Sequence, residues 1–236
     1  MSIIRRGVRQ IVEKAIAARK MMKAISIYKR YRTFTMIPPY EYESNLLLCE
    51  LKAPATGCIV EAGVWRDGMS AGLADILPGR VHYLFDSFEG LPPAKEIDGE
   101  AALRWQQDTT APDYYDNCSA ERSFAESAMA MSGAGQVNIV PGWFNETVSK
   151  FQPPEPIAVL RLDGDWYEST MDCLTALYPH VMQGGLIILD DYFAWDGCAL
   201  ALHDYLSQHK LAERIEKFGG VCHIVKRLPQ GALTKV

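Results

Sequence analysis

The sequence has no Cys-x-x-Cys pair; its six cysteines, Cys49, Cys58, Cys118, Cys173, Cys198 and Cys222, stand far apart. That spacing argues against a zinc ribbon or a disulfide framework and predicts reduced thiols in apolar surroundings. No stretch approaches the ~18 apolar residues of a membrane span, and the N-terminus lacks the apolar core and small-residue cleavage site of a secretory signal. A cytoplasmic protein is the expectation. The five histidines, His82, His180, His203, His209 and His223, show no metal-ligand spacing. The Gly-x-Gly-x-x-Gly pattern that cradles a pyrophosphate is also missing. What remains is 48% hydrophobic and 22% charged, a globular composition whose length suits one large domain.

Acid is scarce at the N-terminus: residues 1–32 hold ten Lys/Arg and one acid, Glu13, a local net of +9. Since the whole chain carries −5, residues 33–236 carry −14. Ile4, Val8, Ile11, Val12 and Ala15 recur at helical spacing with bases on other faces. Residues 1–35 therefore read as a basic amphipathic helical extension, and 36–236 as the main domain. Three fates compete for the extension: contact with the acidic body or a second subunit, contact with an anionic membrane surface, or solvent. A homo-oligomer is expected. Nucleic acid is not, because the acidic remainder would be repelled from phosphates.

From residue 56 onward, short apolar runs alternate with amphipathic stretches, the pattern of a doubly wound, mostly parallel α/β sheet. Strands are predicted over Cys58–Ala62, Val81–Phe85, Val137–Val140, Ile157–Leu162 and Gly185–Leu189, and their unbroken apolarity suits burial on both faces. Helical patterns fall at Met69–Ile76, Ala120–Met131, Ser169–Tyr178 and Gly197–His209, with an earlier one at Ser44–Leu51. Tyr40, Glu41, Tyr42 and Glu43, just ahead of that first helix, are candidates for a lid. Gly219-Gly220 between two strand-like runs predicts a closing antiparallel hairpin, making seven strands. Ser87–Pro112, rich in Pro, Gly and acids, reads as a long loop able to serve as a binding arm.

Ligands of open α/β sheets bind beyond the carboxyl ends of the strands, and here those ends are rich in acid and glycine. Gly63 and Gly68 permit a tight turn and close ligand approach, and Asp86, ending the next strand, can accept both hydroxyls of a ribose. With Glu61 and Asp67 nearby the turn suits a cationic nucleoside without phosphate, such as S-adenosylmethionine (SAM). Asp163, Asp165, Asp190 and Asp191 end two further strands. Carboxylates so close repel one another unless a cation neutralises them, and all-oxygen ligands favour a hard ion such as Mg²⁺, Mn²⁺ or Ca²⁺ over zinc. Helix caps or simple turns are the plainer readings of these acids.

The strings VEAGVWRDGMS, FDSFEGLP, GWFNET, LRLDGDWYEST and GGLIILDDY, in this order across residues 33–227, resemble the macrocin and mycinamicin sugar O-methyltransferases, the TylF-like family. The resemblance implies a Rossmann-like class I methyltransferase domain over 36–236 that uses SAM and a divalent cation. It implies metal ligands Asp163, Asp190 and Asp191, with Asp165 as the base. The implied cofactor residues are Glu61, Gly63, Val64, Trp65, Ser70, Asp86, Ser87, Phe88, Gly142, Trp143 and Asp163. Asp67 departs from the family, standing where relatives often have Gly. The implied reaction is methyl transfer to a hydroxyl of a diol-bearing small molecule or glycan, the ion lowering the pKa of the hydroxyl. A catechol-like phenol acceptor and a non-catalytic nucleoside-binding module are the competing readings.

Overall fold

The computed structural model describes residues 2–227, with side chains from Glu13 onward. Two of the unbroken apolar runs form strands sealed on both faces: β1 (Cys58–Ala62) and β4 (Ile157–Leu162) are buried at every position. β2 (Val81–Asp86), β3 (Gln136–Pro141) and β5 (Val181–Leu189) run parallel to them. β5 starts earlier than its apolar run because Val181 already pairs with Ile157, and a register shift between Ile157 and Val159 absorbs the extra residues. Gly219-Gly220 joins β6 (Glu216–Phe218) to β7 (Val221–Val225), and β7 docks antiparallel on β5. The seven strands lie in the order β3-β2-β1-β4-β5-β7-β6.

Helices cover both faces: α1 (Ser2–Tyr31), α2 (Pro39–Lys52), α3 (Gly68–Ile76), α4 (Glu100–Gln107), α5 (Arg122–Ala130), α6 (Phe144–Thr147), α7 (Tyr167–Leu177) and α8 (Asp196–Gln208). The two-residue period of a strand divides the core. Ile59, Val159, Leu186 and Ile188 join Leu46, Leu73 and Met129 on the α1–α3 side, whereas Val60, Leu160, Ile187 and Leu189 join Leu174 and Leu202 on the α7–α8 side. Among the described residues no helix is long and apolar enough to cross a membrane; α1 has the length but carries too many bases.

One expectation needs correction. Tyr40–Glu43 do not precede a helix; they form the first turns of α2, which Pro39 starts at the first helical position, where its missing N–H costs nothing. Tyr42 is no lid residue, being fully buried with its hydroxyl donating to the Gly68 carbonyl at 2.7 Å. Ala24, Ile27 and Tyr31 at the end of α1 belong to the same core as α2 and α3. The chain runs β1 to β3 outward on one side and then crosses back to β4 and β5 on the other. A crevice therefore opens beyond the carboxyl ends of β1 and β4.

Candidate active site

Pairing in register sets Ala62 beside Leu162, so the chain leaves β1 and β4 side by side at Gly63 and Asp163. The Asp163 N–H donates to the Ala62 carbonyl at 2.8 Å, and Gly63 turns away at φ +87°. A Cβ on Gly63 would lie 1.7 Å from the Asp163 carbonyl oxygen, so only glycine fits. Beyond it, the N–H groups of Val64 and Trp65 donate to Asp86 Oδ2 at 2.7 and 2.8 Å, and Phe88 N–H donates to Oδ1 at 2.7 Å. Asp86 thus staples the turn after β1 to the turn after β2. Burial raises its pKa against the pull of those three donors. The sequence reading gave this carboxylate to a ribose; in the structure, main-chain N–H groups take up much of its accepting capacity.

The strand period also explains the charge beneath the turn. Glu61 and Arg161 are in-register neighbours on β1 and β4, and both are buried. The Arg161 guanidinium reaches Glu61 at 2.5 Å, Asp163 at 2.7 Å and Asp190 at 2.5 Å. Glu61 also accepts a hydrogen bond from the Ser70 hydroxyl of α3. Glu61 and Ser70 are therefore structural partners below the site and do not line it.

Above Arg161, Asp163, Asp165 and Asp191 each offer an oxygen within 4.8 Å of the others. Asp165 holds a left-handed backbone (φ +57°), its N–H donating to Asp191 Oδ2 at 2.9 Å and its Oδ1 accepting from Trp195 Nε1 at 2.9 Å. Burial, then mutual repulsion, pushes the Asp191 pKa well above the carboxylate range; Asp163 moves the same way although Arg161 opposes it. Burial lifts Asp165 to about 7, with the Trp195 N–H working against it. The structure thus brings together Asp163, Asp165 and Asp191, whereas the resemblance implied Asp163, Asp190 and Asp191. Asp190 lines the same space but turns an oxygen to Arg161.

These groups face a cavity of about 480 Å³. Gly63, Trp65, Asp86, Ser87, Trp143 and Asp163 line it as expected, whereas Glu61, Val64, Ser70, Phe88 and Gly142 lie outside its lining. Among the described residues, all its charged lining is acid, with no Lys, Arg or His. The arm after β2 closes one side. It is more ordered than a loop, containing a 3₁₀ turn (Glu96–Asp98) and α4. Trp166 Nε1 holds it through the Pro92 carbonyl at 2.9 Å, and Asp98 accepts the Tyr167 N–H at 2.7 Å.

Of the wall this arm completes, sequence reasoning offered Trp166 and missed Trp105 and Trp195. Trp105 of α4 meets Trp166 and Trp195, the three rings lying 5.4–6.2 Å apart, and Trp105 and Trp195 face the cavity. It also missed Met36, Ile37 and Pro38, which line the rim between α1 and α2. Arg161 was missed too, although a lone charge inside an apolar strand run is a readable signal.

The family model for macrocin O-methyltransferase (TylF) matches residues 51–227. Mycinamicin III 3''-O-methyltransferase of Micromonospora griseorubida is 34% identical over 183 residues, covering 73% of this chain and 70% of that protein. Demethyldecarbamoylnovobiocin O-methyltransferase of Streptomyces niveus is 36% identical over 168 residues, 67% of this chain and 62% of its own length. Among solved structures, the O-methyltransferase NovP superposes with a TM-score of 0.66 at 28% identity over 83% of each chain. Tomaymycin-pathway TomG of Streptomyces achromogenes, solved with SAM, shares the fold at 13% identity, TM-score 0.52, over 89% of this chain and 90% of its own. A seven-stranded sheet with an antiparallel end, a glycine turn beside an acidic crevice and a family match over three-quarters of the length agree: this chain belongs to the macrocin O-methyltransferase (TylF) family of SAM-dependent O-methyltransferases.

Proposed function

We propose that the chain transfers a methyl group from SAM to a hydroxyl of a sugar carried on a small natural product, with Mg²⁺ or Mn²⁺ held among the strand-end acids. The convergence of Asp163, Asp165 and Asp191 within 4.8 Å beside the Gly63 turn carries this reading. The donor set is carboxylate oxygen alone, which suits a hard ion, and the raised pKa values of Asp163 and Asp191 express a need for added positive charge. Asp163 and Asp191 would hold the ion together with Asp190, Arg161 keeping one oxygen of Asp163 and one of Asp190 in place. Bound there, the ion supplies Lewis-acid stabilisation of a deprotonating hydroxyl.

The remaining work falls to side chains of this protein. Asp165, with Oδ1 fixed by Trp195, has Oδ2 for the hydroxyl proton, and burial raises its pKa to about 7 in the metal-free site, toward the range of a base that works near neutrality. Acid-only lining attracts the cationic end of SAM and repels phosphate. Trp105 and Trp195 offer flat apolar faces to the C–H side of a sugar or its carrier. The relatives' printed substrates, a mycinamicin and a rhamnosyl-tetracenomycin, support a sugar acceptor.

The test combines calorimetric SAM titration with transfer assays on aryl rhamnosides and on catechol. SAM should bind with or without Mg²⁺, turnover should stop in EDTA and return with Mg²⁺, and rhamnosides should be methylated. Full activity after exhaustive chelation refutes the metal assignment, and methylation of catechol alone refutes the sugar.

A further inference from the structure

The sequence of α1 spaces Ile4, Val8, Ile11, Ala15, Ala18, Met22 and Ile25 at alternating intervals of four and three, a seam that a helix keeps on one side. The contacts of α1 with the body come from another side. Ala24, Ile27 and Tyr31, at i, i+3 and i+7, pack on α2 and α3. At about 100° per residue this buried stripe lies roughly half a turn around the axis from the seam. From Glu13 to Lys23 every residue except Lys20 is exposed, and Met22 on the seam is 70% exposed. Over its described side chains the seam is exposed at Ala15, Ala18 and Met22 and becomes partly buried only at Ile25, next to the stripe that packs on the body.

We propose that α1 is an interfacial anchor that lays the protein on an anionic lipid bilayer. Charge decides the occupant. Lys14 and Arg19 flank the seam, so a parallel pairing with a second copy would set Lys14 against the partner's Arg19, like against like. An anionic bilayer reverses the sign of that contact: the seam enters the acyl boundary while the flanking bases reach the phosphates. Ten Lys/Arg against one acid over residues 1–32 draw this end to the surface. The −14 carried by residues 33–236 pushes the body away, so one orientation is favoured. Met36, Ile37 and Pro38 directly follow α1 and line the cavity rim, which ties the anchor to the site.

Vesicle flotation of the full chain tests this, with phosphatidylcholine alone and with about 30% phosphatidylglycerol. Binding is expected to the anionic vesicles alone and is lost in about 0.5 M NaCl, where screening is short-ranged. The variant K14Q/R19Q/K23Q should partition ~100-fold more weakly, since each base at an anionic surface contributes a factor of about five. M22D should also reduce binding, by roughly tenfold, while both variants melt at the wild-type temperature. Equal binding to neutral vesicles, or anionic binding that survives both variants, overturns the proposal. So does light scattering that finds a lipid-free dimer, dispersed by M22D, with no vesicle binding.

Discussion

Arg161→Met removes the guanidinium beneath the acids and leaves an uncharged side chain in its place. Arg161 is fully buried and pairs with Glu61, Asp163 and Asp190. Asp163 and Asp190 keep 28% and 22% of their side chains exposed, so water can take over part of their solvation; Glu61, at 1%, has no such outlet. The cost is then close to that of one stranded buried charge, about 3–5 kcal/mol near pH 8. For a domain of this size each kcal/mol lowers Tm by about 2–4 °C, so the fall should be roughly 6–20 °C. Near pH 5.5 the loss shrinks, because burial already raises the Glu61 pKa and a stranded carboxyl takes up a proton. In the double variant Glu61→Gln/Arg161→Met the Ser70 hydroxyl keeps a partner and no charge is stranded, so more than half of the loss should return. Circular-dichroism melts at the two pH values decide it. A fall under about 2 °C near pH 8, or a double variant no better than the single, refutes Arg161 as the neutralising counter-ion.

Asp165→Asn should reduce kcat by ~10²-fold with Mn²⁺ binding, read by electron paramagnetic resonance, unchanged, whereas Asp163→Asn should weaken both; equal loss of metal makes Asp165 a ligand. Asp67 holds φ +66° at the start of α3, and its buried carboxylate oxygens make no hydrogen bond, so Asp67→Gly should stabilise by about 1–2 kcal/mol in a urea titration. The carboxyls of Asp163, Asp165 and Asp191 titrate higher folded than unfolded, so between pH 4 and about 7 the native state retains protons that the unfolded chain has released. The metal-free protein should therefore lose Tm as pH rises through about 7, and Mg²⁺ should flatten that decline.

The centre of the sheet was legible because β1 and β4 are buried on both faces and so appear as unbroken apolar runs; both match their predicted limits to the residue. The antiparallel end was legible because Gly219-Gly220 leaves few alternatives to a tight turn. The acids were legible as a cluster, since each ends a strand. Which oxygens converge was not, because that depends on the left-handed backbone of Asp165 and on the pull of Arg161 on Asp190. Asp86 shows the same limit: its position at the strand end was readable, but its bonds to Val64, Trp65 and Phe88 depend on how two distant turns fold over each other. The indole wall was hidden for a different reason, as Trp105 and Trp195 lie ninety residues apart on elements with no shared periodicity.

The placement of the tryptophans has an optical consequence. The chain has five, and four of them, Trp65, Trp105, Trp143 and Trp195, face the cavity while the fifth, Trp166, stacks behind two of these. No indole sits elsewhere to dilute the signal, so the intrinsic emission of this protein is almost wholly a report on one site. Proton loss at Asp165 alters the charge beside the Trp195 ring at a distance of one hydrogen bond, and a ligand in the cavity displaces water from the exposed faces. The native protein thus carries its own reporter of occupancy, with no label to attach and no residue to replace.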